Sequence, residues 1–334
     1  MDQVHQIGID VSAASLSAVR RGHRGQLLHR IFANNATGHS KLIAWATRQG
    51  RRARCCVEAT GVYSFDLAMT LSRHTQTEVM VSNPRAIKSF AQAMMQRAKT
   101  DATDAVVILS FVERMPFEPW CPPAEETLQL QAIMRRIGQL KVMLNQEVNR
   151  HHADSYRVSI EHLATQDIDA HMQQLEQRVE VLEQQGLVLI QASKDLYPKF
   201  KRLLTIKGVA QLSAMRILAE VMAMPGGLRP EQWVAQAGLD PRPRESGTSV
   251  NKPRFISRVG NKYLRHALYM PALVALRFEP QVKAFYQKLL AAGKKKMQAV
   301  VAVMRKLLRS IWGMIRYDQD FVGDKFYQII QKGA

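Results

Sequence analysis

Acidic residues stand beside short apolar segments at four places in the first third of this 334-residue chain. Asp10 and Glu58 each close an apolar run of strand length, and Asp101 and Asp104 open an apolar helical pattern. Residues three apart share one face of a helix, and strand ends meet at one edge of a sheet, so we expect the carboxylates to converge. Hard divalent ions such as Mg²⁺ or Mn²⁺ prefer such oxygen ligands. The pattern predicts a metal site suited to phosphoryl transfer on nucleic acid.

The charge balance also points to a polyanionic partner. Lysine and arginine number 47 against 28 aspartates and glutamates, giving a net charge of +19, which is far beyond what solubility requires. A basic chain also fits a ribosomal protein or a protein of the membrane surface, so charge alone leaves these alternatives open. We predict nucleic acid as the partner.

The sequence gives no sign of a membrane segment. No apolar stretch approaches the ~20 residues that a spanning helix requires, and the amino-terminal residues lack the pattern of a signal peptide. We therefore predict a cytosolic protein. The three cysteines, Cys55, Cys56 and Cys121, lack the spacing of zinc ligands and are interpreted as buried thiols.

Short strand patterns alternate with helical ones between residues 4 and 110. Three strand patterns come first, and helices and strands then alternate, which predicts a mixed sheet covered by helices. This α/β arrangement is the general form of an RNase H-like nuclease. We expect residues 1–122 to form this domain, with strands at 6–10, 15–20, 26–33, 54–58 and 78–81 and helices at 39–48 and 63–74.

Residues 123–200 are predicted to be all-α. Apolar residues recur at helical spacing in two stripes, which predict a long antiparallel helical pair, a coiled coil that serves as a spacer or a dimerisation arm. The first stripe consists of Leu128, Ile133, Ile137, Leu140, Leu144 and Val148, and the second of Leu175, Val179, Leu182 and Leu189.

Residues 201–334 are predicted to form a third, mainly helical domain. Two short helices around Gly208 indicate either a phosphate-holding helix–hairpin–helix or only a packed helical turn. Prolines and a glycine in 240–249 predict a flexible basic loop without regular structure, and this loop carries Ser246. A lone serine in a loop is usually solvated or capping, so spacing alone does not identify Ser246 as a nucleophile.

The four acids also have structural explanations. Asp101 or Thr100 is suited to cap the helix that follows, with Asp104 in a first turn where the helix dipole favours negative charge. Asp10 and Glu58 are also compatible with surface turns at strand ends. The joint occurrence of all four in so basic a chain favours the metal site.

Short motifs along nearly the whole chain resemble a known family. They are Ile7–Asp10, Val57–Tyr63, Asn83–Pro84, Lys99–Ala105, Ala237–Leu239, Glu245–Gly247 and Leu264–Tyr269. Together, and in this order, they resemble the DEDD transposases of the 110/1111 group of insertion sequences, which are Piv-like recombinases guided by a bridge RNA.

The resemblance implies a RuvC-like amino-terminal domain, a helical middle and a carboxy-terminal transposase domain. Asp10, Glu58, Asp101 and Asp104 fall on the family's metal-binding tetrad, and Ser246 falls on its nucleophilic serine. A structured guide RNA would then act beside donor and target DNA, and strands would be rejoined through a covalent phosphoserine link. The resemblance also implies a dimer or tetramer, in which Ser246 of one subunit meets either its own acids or those of a neighbour.

Basic residues near these motifs are expected to contact nucleic acid. Arginines close to Ser246 would neutralise the scissile phosphate, since the guanidinium group offers a bidentate fork. Each residue is also compatible with simple solvation on a loop. The predicted set is Arg97, Lys99, Arg244, Lys252, Arg254, Arg258, Lys262 and Arg265.

Two rival functions remain open from the sequence. A junction-resolving or hydrolytic nuclease of the same fold would use water as its nucleophile and leave Ser246 dispensable. A non-catalytic DNA- or RNA-binding protein would carry the acids as structural groups.

Overall fold

The computed structural model describes residues 4–59, 61–95, 100–156, 163–242, 245–246, 250–251 and 255–329. Only the backbone is described for Asp101, Leu163, Glu245, Ser246, Val250 and Asn251. The chain divides into two compact units, Met1–Pro122 and Pro123–Ala334. Each unit has its own hydrophobic core.

A five-stranded sheet forms the centre of the first unit, in the order β3-β2-β1-β4-β5. β1, β2 and β3 pair antiparallel, and β4 and β5 continue from β1 in parallel. The predicted mixed α/β arrangement is confirmed. The strands are β1 His5–Val11, β2 Ser15–Arg21, β3 Leu27–Ala33, β4 Ala53–Glu58 and β5 Thr77–Ser82. The helices are α1 Ala36–Ala46, α2 Phe65–Arg73, α3 Pro84–Ala93 and α4 Asp101–Arg114, and a 3₁₀ turn, Arg48–Gly50, follows α1.

The two faces of the sheet pack against different helices because side chains alternate along a strand. Ile7 and Ile9 of β1 lie in a core shared with α1 and α2. Gly8, between them, faces α4. By the same alternation, Asp10 lies on the α4 side of the sheet.

α4 packs closely on β1 because Gly8 has no side chain. A Cβ atom at Gly8 would lie 2.2 Å from the backbone nitrogen of Leu109 and 2.4 Å from the carbonyl oxygen of Ala105. Both contacted atoms belong to the backbone of α4, so neither moves without shifting the helix. The absence of a side chain at this position therefore sets the distance between β1 and α4.

Replacing Gly8 with alanine is expected to lower the free energy of unfolding by at least about 3 kcal/mol, because the added methyl group overpacks a backbone contact. Urea unfolding measures the change. Gly138→Ala is the matched control, since nothing lies within 4 Å of a Cβ built there and alanine is the better helix former. Equal stability of the two variants would contradict the close contact between β1 and α4.

The second unit is helical in the residues described, apart from two short β ladders. A single core joins α5 to the later helices and continues across residue 200. This core shows no break at residue 200. The boundary between 123–200 and 201–334 stays a prediction. The helices are α5 Glu125–Asp154, α6 Leu163–Ala192, α7 Leu196–Leu204, α8 Gln211–Met222, α9 Pro230–Gln236, α10 Lys262–Phe278, α11 Pro280–Ala291, α12 Lys296–Arg316 and α13 Gly323–Phe326.

α5 and α6 run antiparallel along each other. Ser193 at the end of α6 donates to Glu126 at the start of α5, and Glu147 near the end of α5 bonds to His171 of α6. The predicted apolar stripe of α5 is wrong at its last position, since Val148 is 44% exposed. Glu147 is buried instead, because Arg150 and His171 supply partners for its carboxylate. That this pair forms a dimerising coiled coil stays a prediction.

A β-hairpin occupies the segment for which the sequence predicted an irregular loop. β6 Pro241–Arg242 pairs antiparallel with β9 Phe255–Ile256, and β7 Glu245–Ser246 pairs antiparallel with β8 Val250–Asn251. The prediction was wrong because the chain turns back and supplies its own pairing partners. Pro241 is tolerated because it is the first residue of its strand.

The turn between α7 and α8 is closely packed. Gly208 has φ +112°, and a Cβ built there would lie 2.7 Å from the backbone nitrogen of Ala275 and 2.9 Å from the carbonyl oxygen of Pro271, both in α10. Gly208 is thus required for helix packing. Of the two alternatives drawn from the sequence, this contact favours the packed helical turn over a phosphate-binding hairpin.

Two of the three cysteines are buried as predicted. Burial raises the pKa of the Cys55 thiol to about 12 and that of the Cys56 thiol to about 11, so both stay protonated at neutral pH. The prediction is wrong for Cys121, which is exposed because it lies in the extended segment that ends the first unit. None of the described helices is long and apolar enough to span a membrane.

Candidate active site

Asp10 and Glu58 lie side by side at one end of the sheet. β1 and β4 are parallel neighbours whose register pairs Ile9 with Val57, so the next residue of each strand is an acid. Residues in register on parallel neighbours point to the same side of the sheet. Cys56, two positions before Glu58, packs in the core beneath α4. Both acids therefore lie on the side that α4 covers.

The first turn of α4 lies at the same end of the sheet. Gln6 Nε2 donates to the carbonyl oxygen of Val112 near the end of α4, and Gly8 lies against Leu109, so α4 runs antiparallel to β1. Two strand residues span about 6.6 Å, which is the length of roughly four helical residues. Asp10 lies two residues beyond Gly8 along β1, so it is level with the first turn of α4, which carries Asp101 and Asp104.

The residue that caps α4 is Thr100. Its Oγ1 accepts a hydrogen bond from the backbone nitrogen of Thr103 at 3.2 Å, and Thr103 Oγ1 accepts one from the backbone nitrogen of Thr100 at 2.8 Å. Asp101 and Asp104 lie inside the helix, where its dipole favours negative charge. Capping therefore explains Thr100 and leaves Asp101 and Asp104 for another role.

Two polar side chains that the sequence patterns did not reveal lie beside Asp10. Ser17 of β2 is the cross-strand partner of Asp10, so the two side chains share a face. Ser17 Oγ lies 2.8 Å from Nε2 of His29 on β3. A cavity of about 380 Å³ is lined by Ser17, His29 and Thr100, among others. Only the antiparallel strand register, which periodicity does not specify, identifies these residues.

The donor set at this end of the sheet fits a hard divalent cation. Among the side chains that the structure describes, no three of histidine, cysteine, aspartate or glutamate are grouped closely enough to hold a metal ion, and Asp10, Glu58 and Asp104 are among those described. The side chain of Asp101, one member of the predicted tetrad, lies outside that description. The tetrad offers carboxylate oxygens alone, which suits Mg²⁺ or Mn²⁺ in chemical kind. The metal site stays a prediction.

Backbone hydrogen bonds close the base of the β-hairpin that carries Ser246. Ser257 donates its backbone N–H to the carbonyl oxygen of Asp240 at 2.8 Å. Asn261 donates its own to the carbonyl oxygen of Gln236 at 2.6 Å. Ser246 lies in β7, between Asp240 and Ser257 in sequence.

A buried carboxylate anchors the helix that follows the hairpin. Glu220 of α8 is 3% exposed and accepts two hydrogen bonds from Arg135 of α5, at 3.1 Å each. It also accepts one at 2.6 Å from Asn261, the cap of α10. Breaking a buried, fully paired carboxylate is strongly destabilising. The base of the hairpin is therefore fixed to a rigid set of helices.

The predicted nucleic-acid contacts are described only in part. Arg258 and Lys262 are exposed. Arg265 is half-buried, and its Nη1 donates to the carbonyl oxygen of Ala237 at 2.7 Å, which gives it a structural contact at the hairpin base. All eight assignments stay predictions. Five of the predicted residues lie outside the described part of the chain, namely Arg97, Lys99, Arg244, Lys252 and Arg254.

Family models match both parts of the chain. A model of transposases, named for the DEDD type and the insertion sequence IS110, matches residues 7–153. A second model, described as the transposase IS116/IS110/IS902 family, matches residues 200–287. The first range includes the four acids, and the second includes Ser246.

Relatives with sequence similarity come from bacteria. The pilin gene-inverting protein of Moraxella bovis is 28% identical over 320 residues, which are 94% of this chain and 97% of the relative. The protein of the same name from Moraxella lacunata is 28% identical over the same shares. A 42 kDa protein of the insertion element IS900 from Mycobacterium paratuberculosis is 35% identical over 103 residues, 29% of this chain and 26% of that protein.

The two family models together match more than half of the chain, and relatives of similar length match nearly all of it. The matched ranges also contain both the acid-bearing sheet end and the serine-bearing hairpin. This chain therefore belongs to the IS116/IS110/IS902 family of transposases, enzymes that act on DNA.

Proposed function

We propose that this transposase cuts and rejoins DNA strands through a covalent link to Ser246, at a Mg²⁺ site formed by Asp10, Glu58, Asp101 and Asp104. One observation carries the proposal most directly. The acids of β1 and β4 are neighbours on the face that α4 covers, and the first turn of α4 adds two more acids at the same end. If the four carboxylates meet there, their like charges repel one another unless a cation neutralises them.

The tetrad residues have a defined task in this scheme. They would hold one or two divalent ions, and the bound metal supplies Lewis-acid stabilisation of the attacking and leaving oxygens. Ser17, on the face of Asp10 and bonded to His29, is placed to restrain that end of the sheet. Holding the acids still before the reaction reduces the reorganisation that the transition state requires.

The serine step is balanced in bonds and protons. Ser246 Oγ forms an ester bond with the scissile phosphorus while the bond from phosphorus to the leaving sugar oxygen breaks, and that oxygen takes up a proton. A hydroxyl of the new strand then attacks the same phosphorus, and Ser246 regains its proton. One phosphodiester is exchanged for another, so rejoining needs no ATP.

The hairpin supports Ser246 in this role. Ser246 lies in β7, within the segment that the bonded pair Asp240 and Ser257 closes. Arg244, Lys252 and Arg254 are close to it in sequence and would neutralise the phosphate through charge-assisted hydrogen bonds. The exposed side chains of Arg258 and Lys262 continue this basic segment.

The finer features implied by the family resemblance belong to the same proposal. The amino-terminal unit would be RNase H-like and RuvC-like, and a structured guide RNA would select donor and target DNA by base pairing. The α5–α6 pair would serve in a dimer or tetramer, in which Ser246 meets the acids of its own or a neighbouring subunit. The reaction would take place in the bacterial cytoplasm, at the nucleoid. The relatives named for gene inversion support strand exchange over plain hydrolysis.

A strand-exchange assay tests the proposed function. The full chain, with the RNA encoded beside its gene and a supercoiled plasmid carrying two element ends, is expected to give recombinant products with Mg²⁺. EDTA should abolish them, and excess Mg²⁺ or Mn²⁺ should restore them, because the carboxylate site depends on the ion. Products are measured by amplification across the new junctions. Nicked or linear DNA without new junctions would instead identify a hydrolytic nuclease.

A further inference from the structure

A second site lies at the opposite end of β1 from Asp10. A cavity of about 650 Å³ is lined there by residues that include His5, Arg20, Arg48 and Arg51, which we call the arginine pocket. His5 begins β1, Arg20 lies near the end of β2, and the 3₁₀ turn after α1 carries Arg48. About 16 Å of strand separates His5 from Asp10. The arginine pocket is therefore separate from the acid cluster.

Arg20 is buried in this pocket with an unused hydrogen-bond donor. Its exposure is 7%, and its guanidinium lies 4.8 Å over the ring of Trp45, which holds it in place. Its Nε has no hydrogen-bond partner among the residues that the structure describes. Buried polar groups are nearly always paired, and a charged one without a partner is costly. Arg20 itself lines the cavity, so an anion bound there would offset the cost of burying its charge.

His5 does not supply the missing negative charge. Its Nδ1 lies 2.8 Å from the carbonyl oxygen of Ala46, which only accepts, so Nδ1 carries the proton. Burial lowers the pKa of His5, and Arg20 and Arg51 lower it further. The neutral ring presents Nε2 as an acceptor, 3.5 Å from Nη1 of Arg20 and 3.5 Å from Nη1 of Arg51. Two guanidinium groups thus approach one uncharged nitrogen.

The carboxylate in the lining of the cavity is already engaged. Glu113 accepts hydrogen bonds from both Nε and Nη2 of Arg21, at 2.7 and 3.0 Å. Within the described residues, no ion pair joins Arg20 or Arg48 to a carboxylate. Burial lowers the pKa of Arg20, and repulsion from Arg48, Arg30 and Arg51 lowers it further. Arg20 and Arg48 therefore bring positive charge to the pocket that an anion would neutralise.

We propose that the arginine pocket binds a phosphate group of a nucleic-acid strand, as a contact apart from the reacting phosphate. Arginine forks match phosphate oxygens in geometry, and phosphate contacts supply much of the affinity of nucleic-acid-binding proteins. The inference rests on the proposed function only in taking nucleic acid as the partner. DNA and RNA share this phosphodiester chemistry, and the test separates them.

Fluorescence anisotropy tests the pocket. It measures binding of the full chain to oligothymidylate and to oligouridylate of equal length at a series of salt concentrations. Arg20→Gln is expected to weaken the binding of one or both on the order of 10-fold and to lower the salt slope by about 1. The oligonucleotide that loses more affinity is the natural source of the phosphate. Arg24→Gln is the matched control for net charge, because Arg24 is exposed and outside the pocket.

Inorganic phosphate provides a second measurement. It is expected to raise the Tm of the native chain and to leave that of Arg20→Gln unchanged, because ligands that bind only the folded state stabilise it. If Arg20→Gln does not fold, Arg48→Gln replaces it, since Arg48 is exposed and its loss removes charge from the rim alone. The same losses of affinity and of phosphate stabilisation are expected.

Two outcomes would overturn the proposal. One is that the pocket variants bind both oligonucleotides with the same affinity and the same salt slope as Arg24→Gln. The other is that Asp2→Asn lowers the Tm while inorganic phosphate leaves the Tm of the native chain unchanged. The carboxylate of Asp2 would then be the anion that the pocket binds. If strand exchange fails but oligonucleotide binding still depends on the pocket arginines, the proposed function is rejected and the proposal for the pocket is not.

Discussion

Replacing Ser246 with alanine is expected to remove the covalent protein–DNA adduct and to reduce strand exchange on the order of 10³-fold or more, as losing a catalytic nucleophile does in other covalent enzymes. Alanine has no hydroxyl oxygen to form the ester with phosphorus. The free energy of the cleaved phosphodiester bond is then not retained in a protein–DNA bond. Denaturing gel electrophoresis of labelled DNA measures the adduct. Binding of uncut DNA should be unchanged, because the backbone of the hairpin is retained.

Ser249→Ala is the matched control for this experiment. Ser249 is three residues from Ser246 in sequence, so the two variants lose the same hydroxyl group at nearby positions of the chain. The control is expected to keep the adduct and the recombinant products. Continued cutting by Ser246→Ala, without an adduct, would mean that water is the nucleophile and that the enzyme is a hydrolytic nuclease.

Replacing Asp10 with asparagine is expected to reduce cutting about 10²-fold or more, since losing one preorganised electrostatic group costs this much in other enzymes. The amide keeps the shape of the side chain and removes its charge, so affinity for the divalent ion falls. Isothermal titration with Mn²⁺ measures that affinity independently of activity.

Asp66→Asn controls for the loss of one negative charge from the same unit. Asp66 is exposed in the first turn of α2 and has no part in the proposed site. It is expected to leave Mn²⁺ affinity and strand exchange unchanged. Full activity of Asp10→Asn would contradict the metal site and would favour a structural role for the acids.

The sheet of the first unit was predictable because its signals are local. Apolar runs such as the one before Asp10 show strand periodicity, and each predicted strand lies within a residue or two of the observed one. The order of short connections then limits which strands become neighbours. The placement of Asp10 and Glu58 at adjacent strand ends follows from this, and so does the helix that begins at Asp101.

Pairings between distant residues were not predictable in the same way. The hairpin around Ser246 forms because Val250–Asn251 pairs with Glu245–Ser246 and Phe255–Ile256 pairs with Pro241–Arg242, and no local propensity encodes these pairings. His29 reaches Ser17 only through the register of two antiparallel strands. Arg20 gives no sign in the sequence that it is buried, because its burial depends on Trp45 from another element. Each of these features requires coordinates.

The closed base of the hairpin has a consequence for how this enzyme family can diversify. Because Asp240 and Ser257 are bonded to each other, the chain leaves the helical scaffold and returns to it at one place. Insertions or deletions beyond that point alter the reach of the serine while the surrounding helices keep their packing. Evolution, or an engineer, is thus free to adjust the distance between nucleophile and scaffold by changing one short segment of the gene.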